Sequence, residues 1–191
     1  PTDPTVATAI YSNLSAPGSK RTSSFPVHQG GWSAFLPENE DTVMPIASIL
    51  KIPVVPHGMI RLLSGELSYI TRRIDRDDSK GKIPMEDFCQ ISERLTEDKY
   101  KGSVEQIGRK LKEISTGYDV QLFFERVVFN FIIGNGDAHF KNYSVTYKEK
   151  EFIRLAPAYD IICSKLVIPD ETDSALTING KNDKLKKDDF D

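Results

Sequence analysis

Between Asp119 and Ile133 the chain carries Leu122, Phe123, Val127, Val128, Phe129, Phe131 and Ile132, which cover most of the circumference of a helix. Such a helix must be packed on nearly every side, so it belongs at the centre of a domain. The most apolar stretch, Val127 to Ile133, is interrupted by Asn130 and is far shorter than the roughly 20 residues needed to cross a bilayer. No membrane span is expected. A chain of 191 residues leaves room for one domain, or for two small lobes sharing a cleft.

The elements around this helix can be read from periodicity and caps. Ser103, followed by Gln106, predicts a capping box for a helix with Val104, Ile107, Leu111 and Ile114 on one face. Gly117 is expected to close it and Asp119 to cap the central helix. Upstream, the acidic cluster Glu38, Asn39, Glu40, Asp41 precedes Val43, Met44, Ile46, Ala47, Ile49 and Leu50. That is the charge order of a helix start, with Pro45 either in the first turn of a shorter helix or kinking a longer one. Val54 to Leu63 and Leu67 to Ile74 read as a hairpin turned at Ser64, Gly65 and Glu66. Arg72 to Lys82 reads as an exposed connection, and Pro84 to Arg94 has helix-compatible spacing at Met85, Phe88 and Ile91. Beyond Gly134 to Gly136, a second hairpin is predicted from Tyr143 to Tyr147 and from Phe152 to Leu155, with Lys148 to Glu151 as its turn. Tyr11 to Ser33 reads as loop, and the tail from Asp170 as polar with little apolar content. The fold class is α+β.

Composition narrows the function classes. With 39% hydrophobic residues there is enough apolar side chain for a core. The 25 basic residues against 28 acidic ones give a net charge of −3, which supplies no general attraction for nucleic-acid phosphates, so DNA contact would need a local patch or a partner. Cys89 and Cys163 match neither a zinc spacing nor a disulfide framework, and a reducing cytoplasm is the expected location. Pro1 to Ile10 lacks the basic start and long apolar segment of a signal peptide, and without an initial Met it reads as part of something longer.

The densest chemical signal is Gly134-Asn135-Gly136-Asp137-Ala138-His139-Phe140-Lys141-Asn142, set between the central helix and the second hairpin. Its glycines allow Asp137 to be presented at a sharp turn. Asp137 and Asn142 are separated as the base and the metal-binding amide are in a protein-kinase catalytic loop, and Tyr159-Asp160 supplies a second carboxylate after the hairpin. Phosphoryl transfer from ATP needs Mg²⁺ held by hard oxygen ligands and an acceptor placed in line. Asn142 and Asp160 suit the metal, and Asp137 suits the acceptor hydroxyl. His139 and Lys141 would stand near the γ-phosphate, with which of them points inward left open. Each residue also has a bland reading: Asp137 as turn chemistry, His139 as a surface or hydrogen-bonded core histidine, Asp160 as a cap for the segment at Ile161.

The run from Gly134 to Ser144, with Leu155-Ala156-Pro157-Ala158-Tyr159-Asp160, resembles the C-terminal kinase core of the HipA family, the serine/threonine kinases of bacterial type II toxin–antitoxin systems. Leu36-Pro37-Glu38-Asn39-Glu40, Ile52-Pro53-Val54-Val55-Pro56-His57-Gly58 and Met85-Glu86-Asp87-Phe88-Cys89-Gln90 resemble further segments of that family in the right order. The loop is also similar to the Gly-Asp-x-His-x-x-Asn loop of phosphatidylinositol kinases. The resemblance implies a two-lobed protein-kinase-like fold with ATP between the lobes, an incomplete N-lobe and a mainly helical C-lobe. Residues 1–35 would be a loop-rich remnant of the N-lobe, 36–82 its helix, hairpin and hinge, and 83–191 the C-lobe. Asp137 would be the catalytic aspartate, Asn142 and Asp160 the Mg²⁺ ligands, and Arg72, Arg73 and Ile74 the backbone hinge that meets adenine. As a plain charge cluster, Arg72, Arg73, Asp75 and Arg76 read as a solvated strand end. The implied partners are a protein substrate such as an aminoacyl-tRNA synthetase and a HipB-like antitoxin, with DNA reached only through the antitoxin.

The sequence departs from that family ahead of Leu36. Neither a glycine-rich loop ending in Gln-Pro-Lys nor a strand bearing the ATP-contacting lysine is found; Lys20 has no β pattern around it, and Gln29-Gly30-Gly31 lacks the lysine. The readings left open are an active kinase, a pseudokinase or antitoxin-binding module without turnover, and a metal-dependent phosphohydrolase using Asp137, His139 and Asp160.

Overall fold

The computed structural model describes residues 36–77, 81–149 and 152–191. The predicted loop at 11–33 and the 1–35 segment lie outside the described residues. Helix α1 (Leu36–Ile49) runs through Pro45, which is solvent-exposed, because Val43, Met44 and Ala47 on the opposite side are buried. Packing of that face thus overrides the loss of one helical hydrogen bond. The first hairpin forms as expected, with β1 (His57–Arg61) antiparallel to β2 (Leu67–Thr71), in shorter strands than the apolar runs suggest. Its turn closes through Leu62 N–H to the Glu66 carbonyl at 2.8 Å, with Gly65 at a φ of 91°.

The stretch after the hairpin is more structured than a bare connection: Arg76–Asp77 (β3) pairs with Gly81–Lys82 (β4). Met85 is not helical. Met85–Asp87 forms β5, antiparallel to β6 (Ser144–Glu149), and only Phe88–Ile91 (α2) is helix. The reason is local, since Asp87 and Gln90 form a capping box that starts the helix at Phe88 and leaves the preceding residues to complete a sheet. With β7 (Phe152–Leu155) the order is β5-β6-β7, one strand more than the predicted hairpin.

Helix α3 (Val104–Ile114) starts at the Ser103–Gln106 capping box and buries Ile107 and Leu111. The next boundary differs from expectation. Ser115 ends α3, Thr116 is the N-cap of α4 (Gly117–Ile133), and Gly117 is its first residue. Asp119 is buried in the first turn of α4, where its carboxylate accepts from Ser115, from Thr116 at 3.2 Å and from Arg154 Nε at 2.9 Å. These donors hold its carboxyl below the usual carboxylate range against the opposing effect of burial. Asp119→Ala strands those donors at the junction of α3, α4 and β7. It is expected to cost about 1–3 kcal/mol, read as a lowered midpoint in urea unfolding.

Two apolar clusters flank α4. One joins Phe88, Ile107, Leu111, Leu122, Phe123, Val127, Phe140, Tyr143 and Val145. The tail contributes Leu176, Ile178 and Leu185 to it, so the few apolar residues beyond Asp170 are core residues rather than parts of a polar appendage. The other joins α1, Ile52, Val55 and Tyr69 to Phe129, Ala158 and Ile161. α4 serves both clusters, as its apolar circumference predicts, although Phe124 and Ile132 remain exposed. The parts are stitched by a parallel bridge, Val55 N–H to the Ala158 carbonyl at 2.9 Å and Ala158 N–H to the Pro53 carbonyl at 2.7 Å. No helix among the described residues is long and apolar enough to cross a membrane.

Candidate active site

The loop that follows α4 is shaped by its end. Gly134 caps the helix in the left-handed region, at a φ of 72°. Asn130, the one polar interruption of the apolar run, is buried and holds the loop from below. Its amide donates to the Tyr143 hydroxyl at 3.1 Å, and its oxygen accepts from Asn135 at 3.0 Å. Asn135 in turn accepts from the backbone N–H of Asp137 at 3.2 Å. Gly136 donates its N–H to Ser164 Oγ at 2.7 Å. A Cβ at Gly136 would lie 2.5 Å from both Glu171 Oε2 and the Thr172 carbonyl oxygen. The backbone contact cannot give way as a side chain can. Gly136→Ala is therefore expected to lower stability by about 1–3 kcal/mol and to displace the loop, read as a lower thermal midpoint.

Asn142 and Asp160 meet directly, Nδ2 donating to Oδ2 at 2.7 Å. The Asn142 oxygen accepts from the His139 N–H at 2.9 Å, so one side chain ties the loop to the second carboxylate. Asp160 sits at a φ of 58°, in the left-handed region. Burial, with the charge of Asp137, pushes its carboxyl up to about 6, while Asn142 and Lys99 oppose the rise. Burial also raises Asp137, whose Oδ1 accepts from Tyr100 Oη at 2.6 Å. The charge of Asp137 thus works against ionisation of Asp160, and Lys99 works for it.

The other predicted residues are placed as follows. His139 is 6% exposed and neutral, since burial pulls its pKa down to about 4. Lys141 pairs with Asp87 Oδ2 at 2.7 Å, which ties the loop to the start of α2. Arg72 is exposed, with its backbone N–H donating to the Pro56 carbonyl at 2.8 Å. Arg73 pairs with Asp75, which also holds Arg76 at 2.7 Å. Ile74 packs against the cluster that contains α1 and Tyr69. The side chains of Arg72 and Arg73 thus have the look of a solvated strand end. Among the described residues no three His, Cys, Asp or Glu side chains are grouped as a metal-binding set.

Two site residues escaped the sequence analysis. Glu40 on α1 is buried, accepts a hydrogen bond from the Asp160 backbone, and is pushed up to about 9 by burial and then by Asp160's charge. Its place in Leu36-Pro37-Glu38-Asn39-Glu40 was the available signal. Tyr100 carried none, because it stands in an unpatterned stretch 37 positions from Asp137.

With this geometry in hand, comparison with known proteins is decisive. Residues 25–191 match the model of the HipA-like C-terminal domain. The chain belongs to that family. A Sinorhizobium fredii protein named "Putative kinase Y4dM" is 34% identical over 158 residues, covering 75% of this chain and 38% of the relative. A Haemophilus influenzae protein named "Putative kinase" is 28% identical over 143 residues, covering 67% of this chain and 41% of the relative. The chain therefore spans about two fifths of the length of these relatives.

Solved structures give the same architecture. HipA of Shewanella oneidensis MR-1, in its complex with HipB and operator DNA, superposes with a TM-score of 0.70 at 21% identity, over 78% of this chain and 39% of that one. The Helicobacter pylori proinflammatory kinase CtkA superposes with a TM-score of 0.51 at 14% identity, over 65% of this chain and 45% of that one. The fold is thus the α+β, kinase-like fold of HipA expected from the loop and its flanking segments.

Proposed function

We propose that this chain is the catalytic part of an ATP-dependent protein serine/threonine kinase of the HipA type. The observation that carries the reading is the 2.7 Å contact between Asn142 and Asp160, in the field of Asp137. Residues 36–82 form the nucleotide-side lobe and hinge, and residues 83–191 the lobe that carries the loop. Asp137 is the base: as the acceptor oxygen bonds to the γ-phosphorus and ADP leaves, the acceptor proton passes to its carboxylate. Arg72, Arg73 and Ile74 meet adenine through their backbone, which is compatible with side chains engaged elsewhere.

The donor set fits Mg²⁺. Asp160 brings a hard carboxylate in the field of Asp137's charge, and a magnesium ion takes most of its remaining shell from water and phosphate oxygens. Asp160 and Asn142 would hold the ion, which when bound neutralises charge on the phosphates. In the present arrangement Asn142 turns its nitrogen to Asp160 and its oxygen to the His139 N–H, so Asn142 orients the carboxylate. Neutral His139 and Asp87-bound Lys141 shape the loop beside the γ-phosphate.

By analogy with the Shewanella complex of HipA, HipB and operator DNA, the partner is a HipB-like antitoxin, with DNA reached through it. The acceptor in this reading is a hydroxyl on a protein, an aminoacyl-tRNA synthetase being the candidate that the family resemblance suggests. A reducing cytoplasm suits the free Cys89 and Cys163. The test is γ-labelled ATP with Mg²⁺ and a cell extract: a labelled protein band supports the kinase, and none excludes it. A second reading is a nucleotide-binding pseudokinase or antitoxin-binding module without turnover. Nucleotide binding without transfer would select that reading.

A further inference from the structure

Tyr100 lies between the short 3₁₀ turn Thr96–Asp98 and α3. Its hydroxyl donates to Asp137 Oδ1 at 2.6 Å, and its ring meets His139 edge-on at 5.0 Å. The Lys99 ammonium stands 4.8 Å from the ring centroid. A tyrosine placed on a catalytic carboxylate has two physical readings. On a loose loop it would occupy the acceptor's place and have to be pushed aside. On a fixed wall it would hold the carboxylate for the acceptor.

The attachments of the segment decide between them. Phe140 N–H, inside the catalytic loop, donates to the Lys99 carbonyl at 3.2 Å. Thr177 N–H donates to the Gly102 carbonyl at 3.1 Å, Val104 N–H donates to the Thr177 carbonyl at 3.0 Å, and Arg94 donates to the Lys101 carbonyl. Gly102 has a φ of 140°, and a Cβ there would come within 2.8 Å of the Phe140 ring, which the Arg94 guanidinium covers at 4.3 Å on its face. The segment is stapled to the catalytic loop on one side and to the tail on the other. It cannot swing clear without breaking several backbone hydrogen bonds.

We propose that Tyr100 is a positioning residue for phosphoryl transfer, fixing the Asp137 carboxylate through Oδ1 so that its second oxygen is presented to the acceptor hydroxyl. The inference rests on the kinase reading of the site. In the step it serves, the acceptor oxygen bonds to the γ-phosphorus, the bond from that phosphorus to the bridging oxygen breaks, ADP leaves, and the acceptor proton goes to Asp137. Tyr100 keeps its own proton throughout. Its bond and the charge of Lys99 also work against the upward push of burial on Asp137, which favours the ionised base.

The test compares wild type, Tyr100→Phe and Asp137→Asn in the full chain, using γ-labelled ATP, Mg²⁺ and a random peptide pool containing serine and threonine. Loss of one hydrogen bond to a charged group, with the carboxylate free to turn, predicts a fall in kcat of about 10- to 100-fold for Tyr100→Phe. ADP affinity, KM for ATP and the thermal midpoint should stay at wild-type values. A Tyr100→Phe rate within about twofold of wild type overturns the inference, as does a loss matched by weakened ADP binding or a lowered midpoint. Phosphate found on Tyr100 by mass spectrometry also overturns it, since Tyr100 would then be the acceptor. If Asp137→Asn is as active as wild type, the reading of the site fails and this inference falls with it. If Asp137→Asn is inactive and Tyr100→Phe is not impaired, the inference alone fails.

Discussion

Asp137→Ala is expected to lower the rate of phosphoryl transfer by about 10²- to 10⁴-fold, the range over which a positioned base acts. The fold should survive it. The side chain lies on a loop outside both apolar clusters, its carboxylate bond is to half-exposed Tyr100, and the backbone tie from its N–H to Asn135 does not depend on it. Removing one of two mutually repelling carboxylates also relieves Asp160. Initial rates with labelled ATP, set beside thermal unfolding, check the prediction, and equal rates in the two proteins would end the assignment.

Asp160→Asn is expected to weaken Mg²⁺–nucleotide binding by at least about tenfold, because an amide offers the ion no net charge. The same change should leave the metal-free fold intact or strengthen it, since asparagine tolerates the left-handed backbone found there. The pH dependence has a definite sign. Asp160 is raised from 3.8 to about 6 and Glu40 from 4.5 to about 9, so the folded chain holds protons that the unfolded chain has released. Stability from these groups is full below their unfolded values and is lost as pH rises through the folded ones. His139, lowered from 6.5 to about 4, acts oppositely and only below its unfolded value. Between about pH 6.5 and 8, metal-free stability should therefore fall as pH rises, chiefly through Glu40, and Glu40→Gln should flatten the slope. Urea midpoints across that range measure it, and a rising slope would contradict the burial of Glu40.

What the sequence discloses and what it hides separate along physical lines. The helix caps at Ser103 and the apolar circumference of α4 are local signals, and both appear where local chemistry puts them. Asn130 broke an otherwise apolar run, and a buried amide must find partners, which turn out to be Tyr143 and Asn135. Met85 lies in a strand rather than the expected helix because helix spacing over so short a stretch cannot reveal a strand partner some sixty residues away in β6. Glycine after an apolar stripe has the local signature of a helix end, yet Gly117 opens α4 because Thr116 supplies the next cap. The loop from Asp137 to Asn142 and the distant Asp160 were legible as a spaced pattern, and the structure brings Asn142 and Asp160 into contact. Tyr100 was invisible for the opposite reason, since its approach to Asp137 is made wholly by tertiary packing.

Asn39 on α1 grips the backbone of Cys163 twice, its amide donating to the carbonyl at 2.9 Å and its oxygen accepting the N–H at 2.8 Å. Three residues before Cys163, the backbone of Asp160 is bonded to Glu40. Helix and carboxylate segment are thereby yoked like two plates riveted at neighbouring points. A tilt of α1 by a few degrees would carry Asp160 with it, so motion at the far end of the helix reaches that carboxylate as a change of position.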